Sequence, residues 1–470
     1  MMCNIVFRKL AFAVLLILLV LIVAGVSASA QVVPDWQQVN SSGFGDPQAG
    51  EVSAVEAFNG YLYAGTHNPI DPGPQLDGAQ ILRSSDGETW IPVTDPGFGN
   101  DHDTAPPAIL DLAVFKGYLY AGTGRGDAAQ IWRTQDGVNW GRVVNAGFGD
   151  PDTVDFTALA VYDQALYVGA TNQVSGAQIW RTLIGDGTLS NWTQVAPPAP
   201  MTDTAGVTGF AVFDDGSGAG LYAAIAFEAD SPAQIWRSYG GAWETIISDG
   251  FGNSNTSATG GMAVFGGDLY VGAGNTNSGA QLWRTSDGEN WVPATPAFGD
   301  ANNEKVEMVF VFQNQLYAGV TNTGTGIEIW STADGALWEQ ANLDGFGDSK
   351  NSTTNGSNAT AAFLGQLYVG TSNVVDGGEL WRMQQPYGVD LSPDQAKSGS
   401  PGQNVTYTLS ITNIGQVADS FDLAATGQTW TTTLSTSLVS LAPSASADFT
   451  VTVAIPPGAP GNATDMVSIS

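Results

Sequence analysis

The sequence predicts an all-β protein: a seven-bladed β-propeller closed by its N-terminal strand, followed by a C-terminal immunoglobulin-like β-sandwich. Three observations lead to this prediction. A pattern of about 50 residues occurs seven times between residues 31 and 385. Each copy contains four short stretches typical of strands, named a to d here, and almost no helical periodicity. After Pro386 the repeat stops, and about 80 residues with a different strand pattern follow.

Tryptophan marks most copies of the repeat twice, once in strand c and once at the start of strand d. The strand d series is Trp36, Trp90, Trp140, Trp192, Trp243, Trp291 and Trp338. The strand c series is Trp132, Trp180, Trp236, Trp283, Trp330 and Trp381, with Leu82 at this position in the first copy. Four strands in each copy, repeated with this period, are typical of the blades of a β-propeller.

The two ends of the repeat region predict how the ring closes. The seventh copy ends after its strand c, near residues 379–382, and lacks a strand d. The chain supplies an unmatched strand d at residues 36–39. Pairing these two segments would leave no free sheet edge at the junction. A solenoid is the alternative architecture, but it would not require such an exchange.

Residues 1–30 are predicted to be a secretory signal peptide. Arg8 and Lys9 precede an uncharged apolar run, and the small residues 28–30 fit a cleavage site. The alternative is an uncleaved membrane anchor, although the run is short for a spanning helix. The only cysteine, Cys3, lies ahead of this run, so the mature chain would contain no thiol. We expect a secreted or cell-surface protein that is not an integral membrane protein after cleavage.

The formal net charge of −31 limits the classes of partner. Such a surface repels nucleic acid and anionic lipid, so we predict no nucleic-acid partner. Divalent cations or basic partners would be attracted. Solubility outside the cell is the simpler explanation of the charge.

The turn between strands c and d carries a recurring Asp-Gly pair. The aspartate lies four residues before the strand d tryptophan and two residues after a serine or threonine. The pairs are Asp86-Gly87, Asp136-Gly137, Asp287-Gly288 and Asp334-Gly335. This pattern resembles the Asp-box, or BNR repeat, of sialidases, with one residue fewer between the aspartate and the tryptophan. The resemblance implies a structural turn away from the ligand-binding face, in which the aspartate binds backbone amides.

The resemblance to sialidases does not extend to their catalytic chemistry. That chemistry needs an arginine cluster that holds a carboxylate, a tyrosine nucleophile and acidic partners. Only Arg125 and Arg142 of the predicted mature chain lie outside one recurring strand c position. The arginines at that position are Arg83, Arg133, Arg181, Arg237, Arg284 and Arg382. With no more than one in a blade, we expect them to be dispersed around the ring and unable to converge.

Residues 386–470 resemble the NEW3-type module, an immunoglobulin-like domain found beside bacterial glycosidases and surface proteins. The segments 402–407, 413–415 and 441–443 carry the resemblance. It implies an accessory spacer outside the cell, without chemistry of its own. Because the chain stops in what looks like a final strand, we expect this module to be truncated at its C-terminal end, with further modules or a surface anchor to follow.

The loops between strands b and c vary most in length, and in a propeller they share one face with the d–a loops. Variable loops on a uniform scaffold are where binding residues concentrate, although drift alone also produces variation. The candidate ligand-contacting residues are His67, Asp71, Asp77, Arg125, Asp127, Glu228 and Asp230. Residues 125–127 also spell an integrin-type Arg-Gly-Asp tripeptide, a motif that often occurs by chance.

The d–a loops suggest a calcium site. Most of them read Gly-Phe-Gly followed by Asp or Asn, and carboxylate and amide oxygens are the ligands that calcium takes. The candidate calcium ligands are Asp46, Asp101, Asp103, Asp150, Asp152, Asp300 and Asp348. No spacing matches an EF-hand loop, so calcium is a hypothesis that rests on residue type alone.

We therefore expect an exported, non-catalytic binding or adhesion protein of a bacterial surface, with the loop face meeting an extracellular glycan, polymer or protein. A secreted glycoside hydrolase or lyase is the first alternative, because paired carboxylates can hydrolyse glycosides. Its candidate acids, near the starts of the inner strands, are Glu51, Glu56, Asp111 and Asp155. A structural spacer in a surface layer is the second alternative. The sequence makes no prediction of the oligomeric state.

Overall fold

The chain is all-β and propeller-like in its described part. The computed structural model describes residues 35–68, 78–99, 108–124, 129–197, 204–227, 231–294, 298, 300–384, 389–392, 395–415, 417–443, 445–461 and 463–469. Contacts divide the chain into residues 1–32 and residues 33–470, and all described residues belong to the second unit. Within the described ranges, no helix has the length and apolar character that crossing a bilayer requires.

Four-stranded antiparallel units, numbered in chain order, account for most of the described strands. Their strands a to d are given in sequence. Unit 1 contains Glu51–Phe58, Tyr61–His67, Ile81–Ser84 and Ile91–Pro92. Unit 2 contains Ala108–Phe115, Tyr118–Gly124, Ile131–Thr134 and Gly141–Val144. Unit 3 contains Thr153–Tyr162, Ala165–Asn172, Gly176–Thr182 and Trp192–Ala196. Unit 4 contains Ala205–Asp214, Ala219–Phe227, Gln234–Ser238 and Glu244–Ile247.

The remaining units follow the same order, and the last one takes its strand d from the start of the chain. Unit 5 contains Thr256–Phe265, Asp268–Asn275, Gly279–Thr285 and Val292–Pro293. Unit 6 contains Asn303–Phe312, Gln315–Asn322, Glu328–Thr332 and Glu339–Gln340. Unit 7 contains Thr360–Phe363, Gln366–Gly370, Leu380–Gln384 and, as strand d, Asp35–Gln38.

The predicted pairing between the two ends of the repeat region is confirmed. Asp35–Gln38 pairs antiparallel with Leu380–Gln384, with Trp36 opposite Met383. Neighbouring units also touch through their inner strands. One antiparallel residue pair joins His67 of unit 1 to Ala108 of unit 2, and an isolated β-bridge joins Glu51 of unit 1 to Ser372 of unit 7. Unit 1 therefore contacts both unit 2 and unit 7.

The C-terminal part contains its own antiparallel strands. They are Val389–Ser392, Asn404–Asn413, Asp419–Asp422, Ala425–Thr426, Thr431–Leu434, Leu438–Leu441, Ser446–Ala454 and Ser468–Ile469. A four-stranded sheet and two strand pairs enclose a separate apolar cluster that includes Ile411, Phe449 and Val451. The two longest strands of this part, Asn404–Asn413 and Ser446–Ala454, pair with each other in the four-stranded sheet.

The Gly-Phe-Gly turns are built from consecutive residues with positive φ. Gly43 and Phe44 have φ of 59° and 55°, and Gly45 follows at 94°. The same turn is formed by Pro96–Gly99, Ala146–Gly149 and Asp344–Gly347. Two short helical turns of different sequence are Leu189–Asn191 and Gly356–Ala359. A phenylalanine in this left-handed conformation is costly. The cost is offset because the turn places the phenylalanine ring against the tryptophans of the following unit. The rings of Phe44 and Trp90, for example, are in edge-on contact with their centroids 5.3 Å apart.

The Asp-Gly turns hold neighbouring units together. The Oδ1 atom of Asp86 accepts hydrogen bonds from the backbone of Glu88 and Thr89 at 2.9 and 2.7 Å. The glycine of each such turn also lies against the strand b tyrosine of the unit before it. A Cβ on Gly137 would lie 1.8 Å from the hydroxyl of Tyr63, so only glycine fits there.

Candidate functional site

The axis around which the inner strands gather is crossed by residues 355–359 of unit 7, which we call the plug. In units 1 to 4 and 6, strand a runs for eight or ten residues and carries an irregularity in its register, whereas strand a of unit 7 is only Thr360–Phe363. The plug occupies the place of the missing half-strand. It includes the short helical turn Gly356–Ala359.

Side chains of the plug bind the backbone of several other units. Asn355 donates from Nδ2 to the carbonyl oxygens of Ser53 and Leu110 at 2.8 and 3.2 Å. Asn358 donates to the carbonyls of Leu110 and Thr157 at 3.1 and 2.8 Å. These carbonyls lie at the strand irregularities, where ladder partners are missing. The plug therefore supplies the hydrogen bonds that these buried groups need.

The opposite side of the plug is fixed to unit 6. Ser357 Oγ donates to the carbonyl of Val309 at 2.8 Å, and the Val309 amide donates back at 3.1 Å. Gly261 of unit 5 leaves room for this serine, because a Cβ there would lie 1.9 Å from Ser357 Oγ. The plug thus spans the axis between units 1, 2 and 3 on one side and units 5 and 6 on the other.

A cavity of about 600 Å³ lies next to the plug, along the second halves of the inner strands. Its walls are mostly apolar, and its polar lining includes Glu56, Asp111 and Asn358. Three of the lining valines are exposed: Val114, Val161 and Val264. Each of them lies two residues before an a–b turn, so the cavity opens on the face that carries those turns. This is not the face of the d–a and b–c loops.

Burial changes the acid–base behaviour of both carboxyl groups in this cavity. It raises the pKa of Glu56 from 4.5 to about 7, against a smaller opposing effect of the hydrogen bond from the Ala57 amide. Burial also raises the pKa of Asp111 well above its usual range. Backbone amides of Leu159 and Leu112, at 2.6 and 2.8 Å, oppose this shift, and the nearby charge of Glu56 adds to it. Glu56 can therefore supply a proton near neutral pH.

The four carboxylates expected at the channel do not form one site. Glu56 and Asp111 line the cavity, whereas Glu51 and Asp155 lie before the strand positions that bind the plug. Glu51 is buried and its Oε2 lies 2.6 Å from Nδ1 of His67. The spacing of these residues in the sequence could not show that Glu56 and Asp111 are separated from Glu51 and Asp155, because the plug between them comes from the last unit.

His67 corrects one expectation about the loop face. It is the last residue of strand b in unit 1 and only 4% exposed, so it is not an exposed loop residue. Its contact with Glu51 explains the burial, because an imidazole and a carboxylate satisfy each other inside the protein. The other predicted ligand-contacting residues lie outside the described residues. They are Asp71, Asp77, Arg125, Asp127, Glu228 and Asp230.

The predicted calcium ligands in the described part serve as turn-stabilising acceptors. Asp46, Asp150 and Asp348 each accept a hydrogen bond from the amide two residues later, at 2.9 to 3.0 Å. Asp300 does the same at 2.8 Å, and its other oxygen accepts from Asn322 at 3.0 Å. Asp152 supplies the amide that binds Asp150. Apart from Asp150 and Asp152, which share a loop, these residues belong to separate loops. No three acidic, histidine or cysteine side chains in the described ranges come together in a way that could hold a metal ion. Asp101 and Asp103 lie outside those ranges.

The strand c arginines connect adjacent units. Arg237 of unit 4 binds Asp215 at 3.0 Å and also binds Glu289 of unit 5 at 2.7 Å. Arg382 of unit 7 binds Glu88 of unit 1 at 2.6 Å. These contacts give Arg237 and Arg382 a structural role. Each of the recurring arginines belongs to a different unit, as expected from its single position in the repeat.

Sequence reasoning missed the plug. Its signal was present as the Asn-rich segment 351–358, at the point where the seventh copy should begin its strand a. Asparagine is depleted in strands and can donate to free carbonyl groups, which is what Asn355 and Asn358 do.

Comparison with known proteins gave structural similarities only. No family model matches the sequence, and no curated protein matches it. Among solved structures, the chain is similar to a prolyl endopeptidase at 12% identity and a TM-score of 0.42, over 78% of this chain and 55% of that one. It is similar to Trypanosoma rangeli sialidase at 12% identity and a TM-score of 0.39, over 70% of this chain and 54% of that one.

A polysaccharide lyase described as an ulvan lyase is similar at 12% identity and a TM-score of 0.42, over 73% of this chain and 94% of that one. This chain spans about half the length of the endopeptidase and sialidase chains that it matches. Likeness at these scores carries no inference about activity or substrate. What the strands of this chain define is an all-β, propeller-like protein.

Proposed function

We propose that the seven units are the blades of a seven-bladed β-propeller with Asp-box turns, spanning residues 31–385. Residues 1–30 are proposed as its signal peptide and residues 386–470 as a NEW3-like β-sandwich. The exchange of strand Asp35–Gln38 into unit 7 supports a closed ring, because it joins the start of the repeat region to its end in one four-stranded sheet. The separate apolar cluster of the C-terminal strands supports a second domain.

We infer that the protein is an exported, non-catalytic binding protein that meets an extracellular glycan or protein through its loop face. The plug is the observation that carries this proposal. It closes the axis to ligands that approach from the loop face, while the recurring arginines and aspartates are used in contacts between and within units. The variable loops are then the part of that face left to determine specificity.

The direct test is a broad array of glycans and polysaccharides probed with the purified protein, alongside a variant that reverses loop charge. The variant changes Asp71, Asp77, Glu228 and Asp230 to lysine. A specific hit that weakens in the variant supports the proposal. If every detected interaction is unchanged by the four substitutions, the loop face is not the binding surface. Silence across the array would favour protein partners or a structural spacer role.

Calcium remains a prediction for the d–a loops, including the undescribed Asp101 and Asp103. We expect the melting temperature to fall in EDTA and to recover with added calcium if the cation is part of the fold. An unchanged melting temperature would eliminate the calcium hypothesis, and the turn hydrogen bonds of Asp46, Asp150, Asp300 and Asp348 would then account for those residues alone.

A glycan-active enzyme is the second candidate, and the axial cavity is the observation that favours it. A carboxyl group with a pKa of about 7, as in Glu56, is suited to general acid catalysis. Glycoside hydrolysis needs a second carboxylate that stays ionised, whereas Asp111 is driven toward its neutral form. Release of reducing or unsaturated sugar ends by the protein, lost in Glu56→Gln, would establish the enzyme and overturn the non-catalytic proposal.

A further inference from the structure

Several units share a recurring aromatic arrangement in which the phenylalanine of the preceding Gly-Phe-Gly turn lies flat on the strand c tryptophan. In unit 2, the rings of Phe98 and Trp132 are 4.3 Å apart with an angle of 3°. In unit 5, Phe251 and Trp283 are 4.8 Å apart at 9°. Units 3 and 7 have the same stacked geometry at 4.1 and 4.6 Å. The strand c indole therefore occupies a defined slot beside this phenylalanine.

A hydrogen bond fixes the indole in this slot. The residue two positions before the tryptophan accepts from its Nε1–H, as Gln130 does from Trp132 at 2.9 Å and Gln281 from Trp283 at 3.1 Å. The same bond is present in units 3, 4, 6 and 7, where the acceptor is glutamine or glutamate. The slot thus has two recognition elements, an aromatic face and an oxygen acceptor.

Unit 1 keeps both elements but lacks the indole. Its strand c has Leu82 at the tryptophan position, while Phe44 keeps its edge-on contact with Trp90 at 5.3 Å and 67°. The corresponding contact in unit 5 is 5.5 Å and 67°, so Phe44 is placed as in a filled slot. Gln80 lies two residues before Leu82. Its Nε2 donates to the Thr94 carbonyl at 3.4 Å, and its Oε1 accepts no hydrogen bond from any residue in the described ranges.

The smaller side chain leaves a cavity of about 260 Å³ in unit 1. Phe44, Leu82, Trp90 and Gln80 all contribute to its lining. A cavity of about 150 Å³ is large enough for benzene, so this one has room for a bicyclic ring. The strand c indoles of units 2, 3, 5, 6 and 7 are only partly buried, whereas Leu82 is buried at the floor of this cavity with an exposure of 6%.

We propose that the cavity of unit 1 is a binding site for a planar aromatic ring that carries an N–H donor, the chemistry of an indole. The ring stacks on Phe44 and donates its N–H to Oε1 of Gln80, as the internal indoles do in the other units. Asp46 and Glu88 also line the cavity, so a neutral ring binds better than an anionic one. This site goes beyond the proposed loop-face function and does not depend on which partner the loops meet.

The test uses calorimetric titration with N-acetyltryptophanamide, a neutral indole, and with a short peptide that contains one tryptophan. Binding of N-acetyltryptophanamide without tighter binding of the peptide would indicate a free small molecule as the ligand. A peptide that binds at least tenfold more tightly would indicate a tryptophan side chain of a partner protein. In either case we expect one site per chain. Leu82→Trp fills the slot with an internal indole, so binding should be lost while the melting temperature is kept or raised.

A matched variant creates the same cavity elsewhere. Unit 5 resembles unit 1 around strand d, where the residues are Trp291-Val292-Pro293 in unit 5 and Trp90-Ile91-Pro92 in unit 1. Trp283→Leu therefore gives unit 5 the composition of unit 1, and the stoichiometry should rise from one to two.

A third comparison isolates the hydrogen bond. 1-Methylindole lacks the N–H, so it should bind to the unmodified protein about fivefold more weakly than indole does. The Gln80→Leu variant lacks the acceptor, so it should bind the two compounds with equal affinity. The Gln80→Leu variant also tests the site if Leu82→Trp fails to fold. The proposal is overturned if no indole compound binds, or if binding survives Leu82→Trp unchanged. Neither result would affect the array experiment, so failure of this site and failure of the loop-face function can be told apart.

Discussion

Glu56→Gln is expected to stabilise the protein at pH 8 and to leave its stability nearly unchanged at pH 4.5. The Glu56 carboxyl lines the axial cavity, and burial raises its pKa from 4.5 to about 7. Between these two values the unfolded chain releases the proton while the folded chain retains it. The free energy of unfolding therefore falls as pH rises from 4.5 to 7 and is level above 7. Glutamine has nearly the same shape and cannot ionise, so the variant avoids this loss.

The size of the effect follows from the two pKa values. Each tenfold change in proton affinity corresponds to about 1.4 kcal/mol, so the interval from 4.5 to about 7 gives an upper value of about 3 kcal/mol at pH 8. Asp111 acts in the same direction, because removing the Glu56 charge also removes one cause of its raised pKa. The increase in the free energy of unfolding of Glu56→Gln at pH 8 should therefore be at least as large as the part that comes from Glu56 alone.

Urea denaturation followed by tryptophan fluorescence, from pH 4.5 to pH 8.5, measures this difference. Glu339→Gln removes one negative charge from an exposed position of unit 6 and controls for the change in net charge. The reasoning would be refuted by a stability difference that is the same at pH 5 and pH 8, or by a Glu56→Gln variant that is less stable than the parent at pH 8.

Two further predictions concern the scaffold. Asn358→Ala leaves the carbonyl group of Thr157 without its plug donor and that of Leu110 with only the donor from Asn355, so we expect a loss of about 1–3 kcal/mol in urea denaturation; an unchanged midpoint would show that the plug does not hold the inner strands. Gly137→Ala adds strain at φ +76° and a clash with Tyr63, so a loss of about 2–4 kcal/mol is expected. Gly117→Ala has the same φ and nothing within 4 Å, and should cost only about 1 kcal/mol; equal losses in the two variants would rule out the contact with Tyr63 as the cause.

Much of the architecture could be predicted because it depends on short-range patterns. Leu-Tyr and Ile-Trp-Arg stretches alternate with turn residues, and each four-strand unit is formed by consecutive hairpins. The pairing between the first strand and the last repeat could also be inferred, since one copy lacks a strand d and the repeat region begins with a spare one. The dispersal of the arginines followed from their single position in the repeat.

The positions of the candidate site residues depend on contacts distant in sequence. His67 was expected in a loop because a variable segment follows it, yet its pairing with Glu51 draws it into the interior. The plug binds groups more than 200 residues away, as Asn358 does with Thr157. No local pattern reports such a contact.

Local sequence patterns were sufficient to predict the strands, their repetition and the strand exchange into unit 7, because hydrophobic alternation and turn chemistry act between near neighbours. Which carboxyl groups share a cavity depends on long-range contacts, since Glu56 and Asp111 line one cavity beside a plug supplied by unit 7. The same holds for the vacant slot of unit 1. Leu82 was visible as a departure from the repeat, but the space that it leaves depends on how the turn before strand a positions Phe44.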